Sequence, residues 1–318
     1  MLDWANERIL VTGGAGFLGS RVVALLRKRG ADDIRVPRSI ECDLRNRDNC
    51  ARAVHSMDIV FHLAAKVGGI GFNLEKPGEL FFDNLMMGCQ LIDEARRANV
   101  QKLVTVATIC SYPKYARVPF SESSLWDGYP EETNAPYGLA KKMLLVQSAG
   151  YRQQYGFNSV VLFPTNLYGP GDNFDLRSSH VIPALIRKVR EARVEGSDHI
   201  AVWSDGTPTR DFLYVEDAAL GIVKAAEEYD KSEPINLGSG TEISIRDLFA
   251  LVCDLMDFRG KPTWDTSKPG GQPRRRVSIE RAQQELGWTP TVTLADGLQR
   301  TIKWYEDSLT RTVQAHVG

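Results

Sequence analysis

Apolar residues in the first half of the chain fall in short, nearly continuous runs, separated by longer stretches with a helical repeat. Residues 8–12 (RILVT) form the first run and end at glycines. Over residues 19–29, Val22, Val23, Leu25 and Leu26 recur on one side, which predicts a helix. Strands are predicted at 33–36, 58–64, 103–107 and 160–163, with one more short strand ahead of Asp43. Helices are predicted over 84–98 and 137–155. The runs 58–64 and 103–107 are β-branched and lack alternation, as in strands covered on both faces. Alternating strands and helices of this length imply a doubly wound parallel sheet of the Rossmann-like α/β class.

Beyond about residue 170 the pattern loosens. Loops at Gly171, Pro183, Gly196, Gly206 and Pro208 are expected to interrupt short elements, with helices over 246–256 and 279–286. The expected division is a dinucleotide-binding domain over 1–170, joined by returning segments from 210–240, then a smaller α/β substrate lobe over 171–310 and a frayed tail at 311–318.

Composition narrows the class. A formal net charge of -1 argues against a nucleic-acid partner. No apolar stretch nears the roughly 20 residues that span a bilayer. The first residues lack the basic-then-apolar plan of a secretory signal. Five cysteines without a CxxC pair fit reduced thiols, so a soluble cytoplasmic protein is expected, with no metal site.

Residues 12–19 (TGGAGFLG) join the first strand to the first helix, with Gly13, Gly16 and Gly19 spaced to hold a pyrophosphate against Phe17 and Leu18. Tight turning and close backbone approach both require a missing Cβ, and the helix start offers free N–H groups. At the end of the second strand, Arg35, Arg38 and Ser39 replace the acidic residue that binds a ribose hydroxyl, which favours NADP(H) over NAD(H). Asp43 and Leu44 are candidate adenine contacts. Tyr137 and Lys141, four apart at a helix start, form a proton-transfer pair in which the ammonium is expected to lower the phenol pKa from about 10. Thr108, just past a strand end, is placed to hydrogen-bond a substrate carbonyl.

These segments resemble the extended short-chain dehydrogenase/reductases, through TGGAGFLG, HLAA, the hydroxyl residue after the next strand, and YxxxK. Within them the chain is similar to the GDP-L-fucose synthase family, through HLAAKVGGI (62–70), ICSYPK (109–114), EETNAPYGLAK (131–141), PTNLYGPGDNF (164–174), SSHVIPALIRK (178–188) and WSDGTPTRDFLYVEDAA (203–219). The resemblance implies epimerisation of GDP-4-keto-6-deoxy-D-mannose at C3 and C5, followed by NADPH-dependent reduction at C4. It implies Cys110 and His180 as the acid/base couple. Ala64, Ala65, Pro164, Asn166, Leu167, Lys141 and His180 are implied cofactor contacts. Val181, Leu185, Lys188, Trp203, Arg210 and Arg275 are implied substrate contacts. Ile109 stands where many members carry a serine, and Lys188 where others carry arginine. A homodimer through the helices at 84–98 and 137–155 is expected, since the second is apolar nearly all round. Other readings are an NAD-dependent epimerase or dehydratase of another nucleotide sugar, a reductase-epimerase of a GDP-keto-heptose, and a non-catalytic NADP(H) sensor. Arg35, Arg38, Cys110 and His180 weigh against the first, and the retained Thr108, Tyr137 and Lys141 against the last.

Overall fold

A computed structural model describes residues 2–317, with side chains described through Thr310. The expected tail at 311–318 therefore lies outside the described side chains.

In chain order the strands are β1 Ile9–Thr12, β2 Ile34–Arg35, β3 Ile59–His62, β4 Lys102–Val106, β5 Ser159–Pro164, β6 Asn166–Tyr168, β7 His199–Trp203, β8 Thr209–Arg210, β9 Phe212–Tyr214, β10 Ile235–Leu237, β11 Ile243–Ser244 and β12 Lys261–Asp265. The helices are α1 Phe17–Lys28, α2 Arg47–Val54, α3 Ile70–Glu75, α4 Pro77–Arg97, α5 Ala135–Tyr155, α6 Val181–Glu195, α7 Val215–Glu228, α8 Ile245–Leu255, α9 Glu280–Leu286 and α10 Leu294–Val317.

The main sheet has six strands, all parallel, in the order β10-β5-β4-β3-β1-β2. Its sequence runs divide their side chains between two cores. Ile9, Val11, Ile59, Phe61, Val104 and Val106 face α1 and α7, where they meet Val22, Leu26, Ile222 and Val223. Leu10, Val60 and Leu103 face the other way, against Leu91, Ile92 and Ala95 of α4, Leu144 of α5 and Val54 of α2. Burial on both faces explains why these strands read as unbroken apolar runs. The chain order reverses between β1 and β3, so a crevice opens at the carboxyl ends of those strands.

A second core forms from Ile182, Leu185, Ile186 and Val189 of α6, Ile200 and Val202 of β7, and Leu248, Phe249 and Val252 of α8, closed by Leu298 and Ile302 of α10. Between the cores, β10 returns to the edge of the main sheet beside β5.

Two sequence expectations need correction. No further strand lies between β2 and Asp43, because the segment turns on Arg38 O, which accepts from the N–H groups of Glu41 and Cys42. Pro183 and Gly196 do not interrupt short elements; they bracket the 15-residue α6. Pro183 sits in the first turn, where a missing N–H costs nothing, and Gly196 ends the helix at φ 69°. Among the described residues, no helix is long and apolar enough to cross a membrane.

Candidate active site

One cleft of about 1330 Å³ runs from the glycine loop to the second core. It exceeds the roughly 300–1,000 Å³ of an ordinary ligand pocket.

The loop geometry at the cleft floor follows from its glycines. Gly13 adopts φ 71°. A Cβ on Gly19 would stand 2.1 Å from Gly13 O, so only glycine lets α1 start this close to β1. Helix α1 is entered at Gly16 with no side chain capping its first turn. Its unpaired N–H groups are donors suited to a pyrophosphate. Phe17, Leu18, Ala64 and Ala65 line the cleft here, with Arg38, Ser39, Asp43 and Leu44 further along. Among the described residues, Arg38 enters no ion pair. The uncapped helix start and this free guanidinium fit a phosphorylated dinucleotide.

Arg35 does not join them. Its Nη1 donates to the carbonyl oxygens of Ala53 at 3.3 Å and of Arg52 and His55 at 3.5 Å, outside the cleft. Those carbonyls end α2, and the negative end of a helix attracts a cation. Asp43 pairs with Arg45 at 2.7 Å, and Arg45 reaches Asp83, which Lys66 also holds at 2.9 Å. The Arg45–Asp83–Lys66 chain gave no signal in the sequence.

The chemical residues come from three elements. Thr108 follows β4 and accepts from the N–H of Cys110 through Oγ1 at 3.2 Å, which starts a single 3-10 turn over Ile109–Ser111. Tyr137 and Lys141 lie on α5, where Pro136 occupies the first turn. His180 immediately precedes α6. All five side chains, Thr108, Cys110, Tyr137, Lys141 and His180, line the same cleft. Pro164, Asn166 and Leu167 border it at the end of β5 and start of β6.

Burial dominates the electrostatics. The Lys141 ammonium donates to Val106 O at 3.0 Å, is fully enclosed, and its pKa is pushed down to about 8. Tyr137 departs from the sequence expectation: burial, then the neighbouring Cys110 charge, push its pKa up, against a hydrogen bond with Thr108. The Lys141 ammonium is turned to Val106 O and does not offset this rise. His180 is open to the cleft yet walled by protein, and burial and then Arg275 push its pKa down. Under α5, buried His62 shares a 3.0 Å hydrogen bond with Thr12 and is held neutral by burial and by Lys141.

The far end of the cleft carries Val181, Leu185, Lys188, Trp203, Arg210 and Arg275. Lys188 donates to Ala201 O at 2.7 Å. Trp203 is 42% exposed, a free indole face with the Lys268 ammonium 5.8 Å from its centroid. Arg210 is buried and spends its donors on the carbonyls of Thr209, Gly270 and Gln272, at 2.6–2.8 Å. Burial and then Arg275 push its pKa down to about 9. Among the described residues, three polar atoms in the cleft wall are buried without a partner: Asn73 Oδ1, Asp172 Oδ2 and Ser179 Oγ. Burial raises the Asp172 pKa to about 7. None of these three stood out in the sequence, since lone Asn, Asp and Ser residues in loops have no distinctive spacing.

A glycine loop at a sheet's switch point, facing a Tyr-Lys pair across one cleft, defines a dinucleotide-dependent enzyme of the short-chain type. The chain belongs to the NAD dependent epimerase/dehydratase family, whose model matches residues 9–238. Its relatives there include the GDP-L-fucose synthase of Sinorhizobium fredii, 41% identical over 93% of this chain and 94% of that one. The GDP-L-fucose synthase of Escherichia coli is 36% identical over 96% and 99%. Among solved structures, a GDP-L-fucose synthetase from Naegleria fowleri bound to NADP superposes with a TM-score of 0.85 at 28% identity, covering 96% of this chain and 95% of that one. A GDP-6-OMe-4-keto-L-xylo-heptose reductase from C. jejuni gives 0.89 at 26% identity, over 96% and 99%.

Proposed function

We propose that this protein converts GDP-4-keto-6-deoxy-D-mannose to GDP-L-fucose, with epimerisation at C3 and C5 followed by reduction at C4. The observation that carries this reading is the meeting of Cys110 and His180 with Tyr137 and Lys141 in one cleft. A reductase needs only the last two. A thiol and an imidazole are further proton carriers, and a double epimerase has work for both.

NADP(H) is the cofactor, and when bound it supplies the hydride for C4. Gly13, Gly16 and Gly19 with the start of α1 hold the pyrophosphate, Arg38 and Ser39 hold the 2′-phosphate, and Asp43 and Leu44 meet the adenine. Ala64, Ala65, Pro164, Asn166 and Leu167 complete the wall. The 4-keto group acidifies the C3 and C5 protons. Cys110 and His180 remove a proton from one face of each carbon and return one to the other, with no net redox change. Thr108 hydrogen-bonds the C4 oxygen. As C4 is reduced, the Tyr137 hydroxyl gives its proton to that oxygen, Thr108 holds the phenol in place, and the nearby Lys141 charge supports the resulting phenolate. Trp203 covers the guanine or sugar face, and Lys188, Arg210 and Arg275 bear on the diphosphate side. Val181 and Leu185 shape the sugar pocket.

Residues 1–170 with returning segments from 210–240 serve the cofactor, and 171–310 the substrate. The protein works as a cytoplasmic homodimer joined through α4 and α5. Exposed Phe82 and Val146 on those helices and the five free cysteines support this. The likeness to GDP-heptose reductases favours a keto-heptose carrying the same nucleotide as the second reading.

Purified protein, NADPH and GDP-4-keto-6-deoxymannose together decide the matter. The reading expects a fall in NADPH absorbance and a product whose NMR couplings report inversion at both carbons. Consumption of NADPH with C3 and C5 uninverted overturns the epimerase half, and no consumption overturns the whole.

A further inference from the structure

The environment of the Cys110 sulfur is built from both sides. Sγ lies 3.7 Å from Asn134 Oδ1, to which it donates, and 3.6 Å from Arg275 Nη1, which donates to it. Neither partner is free to turn around. Asn134 Nδ2 donates to Glu131 Oε2 and to Thr133 Oγ1, so Oδ1 faces the sulfur. Asn73 Nδ2 donates to the same Oδ1 at 3.1 Å and fixes it further. On the other side, Gln272 Nε2 is spent on the carbonyls of Pro113 and Lys114, both at 3.0 Å. Its Oε1 therefore accepts from Arg275 Nε at 3.2 Å and aims the guanidinium. Arg275 is 6% exposed and, among the described residues, has no carboxylate partner.

We infer that Asn134 and Arg275 are positioning residues that hold Cys110 in its two protonation states in turn, Asn134 the thiol and Arg275 the thiolate. The inference rests on the reading of Cys110 as a proton carrier. When the sulfur takes a ring proton, the C–H bond breaks and its electron pair passes into the 4-keto oxygen. The new S–H then finds an acceptor in Asn134. When the proton leaves again, the negative sulfur keeps a cationic donor in Arg275. A single-partner sulfur would favour one state and slow the return. The other charged or titratable groups acting on this sulfur's surroundings are Arg210, Tyr137, His180 and, through Asn134, Glu131.

The test is the rate of Cys110 alkylation by iodoacetamide across pH, read by peptide mass spectrometry on the full-length protein without substrate. Buried Cys50 serves as the folding control, since it stays unlabelled while the fold holds. Loss of the guanidinium in Arg275→Met slows Cys110 labelling about tenfold on the acid limb, the worth of one charge-assisted hydrogen bond. Loss of the acceptor in Asn134→Leu speeds it about threefold. Arg275→Lys restores most of the rate. Opposite signs are the signature; equal signs, or no change in either variant with Cys50 protected, overturn the inference. Should Cys50 become reactive in Arg275→Met, the comparison of Arg275→Lys with Arg275→Gln decides instead: faster labelling in the lysine variant upholds the inference, and similar rates in the two overturn it. Cys110→Ser turnover tests the proton-carrier reading separately, because alkylation reports only on the sulfur.

Discussion

Lys141 is the buried charge on which a stability prediction can be worked through. Its ammonium is enclosed and its pKa stands near 8 rather than 10.5. A depressed lysine pKa means that the folded state binds fewer protons than the unfolded state between those values. Stability therefore rises with pH through the window from about 8 to 10.5. A shift of about 2.5 units corresponds to roughly 3 kcal/mol at 1.36 kcal/mol per unit. Lys141→Met removes that dependence along with the hydrogen bond to Val106 O, which offsets part of the gain. At pH 7 the variant is as stable as the parent or more so, while turnover is lost. Between pH 7 and pH 10 the parent gains roughly 2–3 kcal/mol on the variant, since other groups titrate alike in both. His62, the coupled neighbour, titrates below this window. Chemical denaturation of both proteins at several pH values measures the difference, equivalent to roughly 5 °C in Tm for a chain of this size. Parallel pH–stability curves would refute the assignment of a desolvated ammonium to Lys141.

The remaining predictions concern the cleft. Tyr137→Phe lowers kcat for C4 reduction by about 10²–10⁴, the usual worth of a positioned proton donor, with NADPH affinity in fluorescence titration unchanged. Arg38→Met weakens NADPH binding at least tenfold and leaves NADH binding nearly alone, whereas Arg35→Met changes neither, because Arg35 is turned to the end of α2. Gly19→Ala abolishes dinucleotide binding in the same titration, since its Cβ would overlap Gly13 O and displace the loop.

The sheet and its glycine loop were readable because burial on both faces leaves an unmistakable apolar run, as in β3 and β4. Boundaries there moved by only a residue or two. Helix α6 was not readable, since Pro183 and Gly196 are breakers in mid-helix but normal at its first turn and its end. Spacing alone could not separate Arg35 from Arg38: β2 is two residues long, and the carbonyls that draw Arg35 away come from the distant α2. Asn134 immediately precedes α5, and its link to Cys110 depends on residues 24 apart meeting in space. The same holds for Arg275, 165 residues from the sulfur it touches. Such contacts have no local pattern to betray them.

Solvent-hydrogen exchange at the sugar ring reports on Cys110 as a proton carrier. In deuterium oxide with NADPH, the parent protein is predicted to give a product carrying deuterium at both C3 and C5, and Cys110→Ser one reduced at C4 without ring deuterium. Equal labelling of both carbons by Cys110→Ser at the parent rate would contradict the account.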